Sequence, residues 1–285
     1  MAEDRLPLIY IVGGWHSGST ILSILLGTHS NIESIGELNA YERRLWTAKA
    51  DSSKCACGEV FTDCNFWSGI RSDLGQRLGN PDIVINSSDQ EAFCNNNTEL
   101  FRQVLARSGK QVICDSSKAW LRLKRIAECD RLKPFIVYLV RDARAVGFSA
   151  LRKGRRVGKP HANKYQYENA IKHWSYVQGI VSRGLANISA SWLLIRYEDL
   201  LEDPKHWLSL ILSSVGLEFE SGQLDLTDIQ SHQIEGNRLR HNRQMKLQID
   251  NEYMAELSDE QWHIGTQLAQ PFLSGFGYEL GRERA

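Results

Sequence analysis

The sequence predicts an α/β fold of the doubly wound kind, and three observations lead to this prediction. Short apolar runs, rich in β-branched residues and bounded by polar or turn residues, are typical of buried strands in a parallel sheet. Segments with helical periodicity separate these runs, so that strands and helices alternate along the chain. A glycine-rich turn joins the first strand-like run to the first helix-like segment.

The expected elements can be placed one after another along the chain. In order, they are strand 8–12, helix 20–28, helix 37–48, helix 89–107, strand 111–114, helix 118–129, strand 134–140, helix 142–153, helix 164–185, strand 192–196 and helix 204–215. No fixed-period repeat or low-complexity stretch interrupts them, so residues 1–285 are expected to form one domain. The irregular segments 51–64, 152–164 and 217–243 are expected to include lids or binding loops.

Composition limits the possible partners. The 285 residues, 42% of them hydrophobic, are enough to fill a sizeable core. The 34 basic and 34 acidic residues balance, so no overall positive field attracts nucleic acid or a membrane, and an anion site must be built locally. The sequence starts without a secretory signal pattern and has no apolar run of about 20 residues, which favours a soluble, cytoplasmic protein. Cys94, Cys114 and Cys129 are expected to be buried free thiols.

The glycine-rich turn has the spacing of a phosphate-binding loop but lacks its lysine. Gly13 and Gly18 are separated by four residues, as in a Walker A motif, and Ser19 stands where that motif has lysine. Glycines here allow a close approach of the backbone to phosphate, and the following helix offers free N–H groups and the positive end of its dipole. Without the lysine, hydrolysis of a nucleoside triphosphate is disfavoured. A turn without a ligand, or a P-loop kinase that holds Mg-ATP with Asp115, are the alternatives.

The loop resembles a known family. The run Trp15-His16-Ser17-Gly18-Ser19-Thr20, followed by an apolar helix, His29 and Gly36-Glu37, is similar to the 5′-phosphosulfate loop of PAPS-dependent sulfotransferases of the bacterial type. PAPS is 3′-phosphoadenosine 5′-phosphosulfate, and PAP is the product that remains after sulfuryl transfer. The family has Arg or Lys where this chain has His16. An imidazole is charged only when a nearby anion holds its proton, so this contact is expected to be weaker or dependent on pH.

Three later motifs follow in the order that the family has them. Arg141-Asp142-Ala143-Arg144-Ala145-Val146 with Ser149 resembles the 3′-phosphate site, although Ala143 replaces a proline. An Arg at the end of a strand reaches the crevice where doubly wound folds bind ligands, whereas Asp142 and Arg144 can equally serve as a helix start. The run 195–200, "IRYEDL", resembles the strand with a Tyr near the adenine, and Gly236-Asn237-Arg238-Leu239-Arg240 resembles the "GN-x-x-R" loop over the nucleotide.

The resemblance implies a P-loop-like, three-layer fold with a central, mostly parallel sheet flanked by helices. It implies transfer of the sulfuryl group of PAPS to a hydroxyl or an amine of a small molecule, natural product or sugar, without a metal, by a monomer or homodimer. A protein that only binds PAP or PAPS is a further alternative. The residues expected to bind the donor are Gly14, Trp15, His16, Ser17, Gly18, Ser19, Thr20, Arg141, Ser149, Tyr197, Asn237, Arg238 and Arg240.

The catalytic candidates are Glu37, Lys118 and His16. Glu37 matches the glutamate that is the general base in carbohydrate and tyrosyl sulfotransferases, although a Glu at a helix start is also favoured by the helix dipole. Lys118 lies in Asp115-Ser116-Ser117-Lys118, which resembles a "DSSK" motif of bacterial members, and could reach the bridging or sulfuryl oxygens of the donor. Asp115 is an alternative base; His161 and His232 are weaker candidates.

The cysteines of residues 55–64 allow two interpretations. Cys55, Cys57 and Cys64 could be three ligands of a zinc site, although the fourth ligand is absent. A similar "C-x-C-G…C-x-F-W" stretch occurs in bacterial sulfotransferases, and this resemblance favours a locally folded loop on the acceptor side, with or without a disulfide. The aromatic residues that could line an acceptor pocket, or simply pack, are Tyr41, Trp46, Trp67, Tyr165 and Tyr167.

Overall fold

A five-stranded, fully parallel sheet forms the centre of the molecule. The computed structural model describes residues 5–46 and 54–282. Within them the strands are β1 Leu6–Gly13, β2 Ile32–Gly36, β3 Val112–Lys118, β4 Leu132–Val140 and β5 Trp192–Arg196. Their order across the sheet is β2-β3-β1-β4-β5, and every neighbouring pair is parallel. The predicted α/β class and parallel sheet are confirmed.

Helices cover both faces of this sheet. They are α1 Ser19–Gly27, α2 Tyr41–Trp46, α3 Asn65–Leu78, α4 Gln90–Ser108, α5 Trp120–Ala127, α6 Ala143–Arg156, α7 Tyr167–Leu185, α8 Tyr197–Glu202, α9 Pro204–Ser213, α10 Glu252–Glu256 and α11 Asp259–Gly275. Side chains alternate along β1: Leu8 and Tyr10 enter one apolar cluster, with residues of α3, α4 and α5, whereas Ile9 and Ile11 enter another, with residues of α1 and α9. The fold therefore has three layers.

Several elements differ from the sequence expectations. Strand β2 was not predicted because Glu33 and Ser34 interrupt its apolar pattern; both are buried, and Glu33 pairs with Lys110 at 3.1 Å. The helix expected to start at residue 118 starts at Trp120, because β3 continues to Lys118, which pairs with Val12 of β1. The helix expected over 37–48 is a 3₁₀ turn followed by α2, and its last two residues lie outside the described ranges.

The cysteine expectation was wrong for two of its three residues. Cys94 in α4 and Cys129 just after α5 form a disulfide, while Cys114 is a buried free thiol as expected. The two helices pack side by side and bring the Cα atoms of Cys94 and Cys129 to 5.5 Å, within the usual range for a disulfide. In the described parts of the chain, no helix is both long enough and apolar enough to cross a membrane.

Candidate active site

A cleft of about 650 Å³ opens at the carboxyl ends of the central strands. In doubly wound sheets this edge is where ligands bind, beside the point at which the strand order reverses. Here β1 lies between β3 and β4, so the segments that follow these three strands converge on one place. Residues from each of them line the cleft: His16 after β1, Lys118 at the end of β3 and Arg141 after β4.

The turn after β1 is shaped to hold an anion. Gly18 has φ of 91°, and a Cβ built on it would lie 2.3 Å from the Tyr197 ring, so only glycine fits there. Gly18 caps α1, whose first amides have no partner within the helix and carry its positive dipole end. The hydroxyl of Ser17 is buried and has no hydrogen-bond partner. These donors suit a phosphate or sulfate oxygen.

Arg141 supplies a fixed positive charge beside this turn. Its guanidinium lies 4.3 Å from the centre of the Tyr197 ring, and its Nη2 donates to the Asp250 carbonyl at 2.8 Å. The Arg141 side chain is buried, yet its Nε has no hydrogen-bond partner. Ser149, which lies in α6, lines the same cleft as Arg141.

His16 is electrically neutral in this environment. Its Nδ1 lies 3.1 Å from the Ser149 hydroxyl. Burial, followed by the positive charges of Lys153, Arg141, Lys118 and Arg156, lowers the pKa of His16 to about 4. His16 also has φ of 61°, which is uncommon for a residue with a Cβ. The imidazole therefore offers a hydrogen bond rather than a charge until an anion balances its neighbours.

Glu37 and Lys118, which also line the cleft, form an ion pair. Lys118 Nζ contacts Glu37 Oε1, and the two side chains are 12% and 19% exposed. Lys118 has φ of 63°. Among the described residues other than glycine, only His16 and Lys118 have left-handed backbone, and both line the cleft. Such backbone costs on the order of 1–3 kcal/mol and is found mostly at functional sites. A carboxylate and an ammonium are thus held next to the anion-binding turn.

Asp115 does not face this cleft. The side chain is fully buried, its Oδ2 lies 3.1 Å from Arg122 Nε, and its Oδ1 accepts from the backbone N–H of Ser117 at 2.9 Å. The Ser117 hydroxyl also donates to Asp115 and accepts from the N–H of Asn39. Asp115 is therefore a structural group that fixes the end of β3, and the alternatives in which it is a base or holds magnesium lose their geometric support.

The segment after Gly236 closes one side of the cleft. The N–H of Asn237 donates to the Thr20 hydroxyl at 3.1 Å, which joins this segment to the start of α1. Arg240 is buried and donates to the carbonyls of Gly236 at 3.3 Å and Lys54 at 3.2 Å. Arg240 thus supports the backbone of its own loop, whereas Asn237 lines the cleft.

A protein-family model agrees with this arrangement of segments. The model described as "Sulfotransferase family" matches residues 7–221, which include β1, the anion-binding turn and the residues after β4. The chain belongs to the sulfotransferase family. No curated protein sequence gives a significant match to this sulfotransferase.

Solved sulfotransferase structures share the fold. The sulfotransferase domain from the curacin biosynthetic pathway matches with a TM-score of 0.59 at 19% identity, over 97% of this chain and 100% of that one. The sulfotransferase domain from the Synechococcus PCC 7002 olefin synthase gives 0.54 at 18% identity, over 98% of each chain. Sulfotransferase STF9 from Mycobacterium avium gives 0.52 at 12% identity, over 99% of this chain and 79% of that one. At these identities the likeness concerns the fold.

Most of the sequence-predicted site residues of this sulfotransferase meet in the cleft. Those that line it are Trp15, His16, Gly18, Ser19, Thr20, Glu37, Lys118, Arg141, Ser149, Tyr197 and Asn237. Gly14, Ser17, Arg238 and Arg240 are not among the lining residues; Arg238 is exposed. The roles assigned to all of them remain predictions. His161 is exposed and His232 lies among cysteines, so neither faces the cleft.

Sequence reasoning missed one wall of the cleft. A segment without regular secondary structure lines this wall with Gln244, Lys246, Gln248 and Asp250. Lys164 lines it from the end of segment 152–164. Asp250 holds Arg141 in place, with its carboxylate 3.3 Å from Arg141 Nη2. The only signal in the sequence was position, because this segment directly follows the "GN-x-x-R" loop.

Proposed function

We propose that this sulfotransferase uses PAPS as its donor and transfers the sulfuryl group to a hydroxyl or an amine of a small molecule, natural product or sugar. The observation that carries the proposal is the convergence of an anion-binding turn, a buried Arg with an unpartnered Nε, and a Glu–Lys pair in one cleft. The first two features suit the two phosphate-bearing ends of PAPS. The third suits the chemistry of transfer.

The residues present fit the donor at both ends. The turn at Ser17 and Gly18 with the start of α1 would hold the 5′-phosphosulfate, since an unpartnered buried hydroxyl there lacks an acceptor. Arg141 and Ser149 would hold the 3′-phosphate, and the buried Arg141 Nε gains an acceptor when they do. Tyr197 would pack near the nucleoside. Two charge-assisted contacts of roughly 1.5–3 kcal/mol each would favour PAPS over a nucleotide without the 3′-phosphate by about 10²–10⁴-fold.

Glu37 and Lys118 would divide the chemical work. In the proposed step the acceptor oxygen or nitrogen forms a bond to sulfur while the bond from sulfur to the phosphate oxygen of PAPS breaks. Glu37 takes the acceptor proton as general base, and Lys118 donates a hydrogen bond where negative charge develops on the departing phosphate. The contact between them also keeps both side chains oriented before substrates bind.

The acceptor would approach past the basic and aromatic residues at the rim. Of the aromatic candidates from the sequence, Tyr165 lines the cleft, next to Lys164 and Lys153. Tyr41 and Trp67 are fully buried in the core, Tyr167 packs against α11 near Trp262, and Trp46 is 78% exposed. We infer an acceptor that is small enough to enter a cleft of about 650 Å³ together with the donor's reactive end.

Thermal unfolding with PAP and with Mg-ATP tests the donor. PAP in a buffer without Mg²⁺ should raise the unfolding temperature, because the proposed contacts use no metal. Stabilisation by Mg-ATP alone would instead support a P-loop kinase and end the PAPS proposal. A mass-spectrometric screen of hydroxylated and aminated compounds with PAPS, read as a gain of one SO₃ group, then tests transfer. PAP binding without sulfation of any acceptor would support a protein that only binds PAP.

A further inference from the structure

Three cysteines and one histidine come together outside the active-site cleft. Cys55, Cys57, Cys64 and His232 each offer one ligand atom, and these four atoms all lie within 4.8 Å of one another. The Cys64 sulfur lies 3.6 Å from the Cys57 sulfur, 3.6 Å from the Cys55 sulfur and 3.3 Å from His232 Nδ1. The Cys55 sulfur lies 3.7 Å from the same nitrogen. The sequence supplied three of these residues; the fold supplies the fourth from a position far along the chain.

Four of the six separations among these atoms lie near the edge lengths of a zinc-centred tetrahedron. With Zn–S near 2.3 Å and Zn–N near 2.0–2.1 Å, tetrahedral angles place ligand sulfurs about 3.8 Å apart and a sulfur and nitrogen about 3.6 Å apart. The observed distances of 3.3–3.7 Å lie close to these values. We propose that Cys55, Cys57, Cys64 and His232 bind one structural Zn²⁺ ion. All four tetrahedral positions are then taken by protein atoms, as in structural rather than catalytic zinc sites.

The backbone around the three cysteines holds them in position without the metal. Lys54 and Val60 form an antiparallel bridge, and between them the N–H of Cys55 donates to Glu59 at 2.8 Å. The N–H of Gly58 donates back to the Cys55 carbonyl at 3.0 Å, and Gly58 has φ of 100° in open space. Residues 55–58 therefore form a tight turn that directs the Cys55 and Cys57 sulfurs to one side, towards Cys64 at the start of α3.

His232 is fixed by two aromatic residues of α3. Its ring stacks on Phe66, with the ring centres 4.6 Å apart and the planes 7° from parallel. The indole N–H of Trp67 donates to the His232 carbonyl at 2.7 Å. These contacts hold the ring with Nδ1 towards the sulfurs of Cys55 and Cys64, and a metal-ligating histidine needs such a fixed ring orientation.

Charge also favours an ion at this position. Three thiolates and a neutral imidazole with Zn²⁺ have a net charge of −1, and a cation near such a centre is stabilising. Arg240 brings a buried guanidinium next to the turn, where it donates to the Lys54 carbonyl at 3.2 Å.

A disulfide is the competing chemistry for closely placed cysteines. In this structure Cys94 and Cys129 are bonded, whereas Cys55, Cys57 and Cys64 are all free thiols.

The ion would tie the loop over the active site to the body of the protein. The segment after His232 is held by Ile234 N–H to the Ile35 carbonyl at 3.2 Å and by Ala56 N–H to the Gln233 carbonyl at 2.9 Å. It then reaches Gly236, where an added Cβ would lie 3.7 Å from Glu37 Oε1. Zinc at its start would therefore limit the motion of one wall of the cleft near Glu37.

Metal content of the purified full-length chain tests the proposal. Protein made without a histidine tag and passed over a chelating resin should retain about one zinc per chain by mass spectrometry of its metals. Cobalt substituted for zinc should give the intense sulfur-to-cobalt charge-transfer absorption of a tetrahedral thiolate site. Cys57→Ser and His232→Ala should lower zinc content by roughly tenfold or more. Cys114→Ser, a free buried cysteine elsewhere, should leave zinc content unchanged.

A second variant separates loss of the site from loss of the fold. His232→Cys keeps four ligands and should retain zinc, with a cobalt spectrum shifted by the fourth sulfur. Chelation of the wild type should lower its unfolding temperature and increase proteolysis within residues 232–243, an effect absent from an already metal-free Cys57→Ser protein. The proposal is overturned by a folded wild-type chain without zinc that takes up no cobalt. It is also overturned by undiminished zinc in Cys57→Ser, or by a disulfide among the three cysteines.

Discussion

Replacing Arg141 with Ala should lower selectivity for the 3′-phosphate of PAP. The Arg141 guanidinium is 6% exposed, already stacks on Tyr197 and donates to Asp250, and keeps one N–H without a partner. A charge-assisted hydrogen bond contributes roughly 1.5–3 kcal/mol. Loss of this one contact should therefore weaken PAP binding by roughly 10- to 150-fold.

The comparison ligand decides whether this loss concerns the 3′-phosphate. Isothermal titration of wild type and Arg141→Ala with PAP and with adenosine 5′-phosphate gives four affinities that form a thermodynamic cycle. PAP should lose affinity and adenosine 5′-phosphate should not, since it lacks the phosphate that Arg141 would hold. Arg152→Ala is the matched control, because Arg152 also lies near Asp250, at 3.5 Å, but is 44% exposed and does not line the cleft. Equal losses for both nucleotides would show that Arg141 only supports the local structure.

Three further changes test the base, the histidine and the disulfide. Glu37→Gln should keep PAP affinity but lower kcat by about 10²–10⁴-fold in single-turnover sulfation, because an amide cannot accept the proton. The wild-type free energy of unfolding, measured in urea titrations, should fall as pH drops from about 6.5 to about 4, because unfolded His16 takes up a proton that the folded protein excludes. The free energy of unfolding of His16→Asn should fall less over the same pH range. Cys94→Ser with Cys129→Ser should lower the free energy of unfolding by about 4 kcal/mol, since the bond closes a loop of 35 residues.

Each of these three predictions has an outcome that would contradict it. Unchanged turnover in Glu37→Gln would remove Glu37 as base and leave the transfer step without an assigned proton acceptor. Parallel pH curves for wild type and His16→Asn would mean that the imidazole does not resist protonation in the folded protein. If reducing agent left the unfolding midpoint of the wild type unchanged, Cys94 and Cys129 would not be joined in solution.

The sequence identified the parts of the fold that follow local rules. The four predicted strands all occur, and 192–196 has the predicted bounds, because short apolar runs between polar ends pair into the sheet; in the edge strand β5 only Ile195 is buried. Strand β2 was not predicted because its central residues are polar, and their side chains find an ion-pair or hydrogen-bond partner in other elements. Helix α3 contains Gly69 and Gly75, although Phe66, Ile70 and Leu74 recur in it at helical spacing, and α11 contains Pro271, so tertiary packing overrides low local propensity in both.

The site could be predicted only as far as its motifs reached. Glu37, Lys118 and Arg141 were singled out because each belongs to a recognisable motif, and in the structure they lie at the carboxyl ends of β2, β3 and β4, which share one edge of the sheet. Asp115 carries the same signal, but its side chain points into the core and pairs with Arg122. Position after a strand predicts proximity to the cleft; it does not predict which way a side chain turns.

His16 and His232 show how the same residue type acquires two roles from the charges around it. Burial and the surrounding cations lower the pKa of His16, so its ring is neutral until an anion balances them. Sulfurs surround His232, so a metal ion is the partner that suits its ring. Both residues lie at the two ends of one connected structure, in which Thr20 contacts Asn237 and Gly36 approaches Ile234. An ion held at His232 would thus stabilise one wall of the cleft in which we propose that PAPS binds.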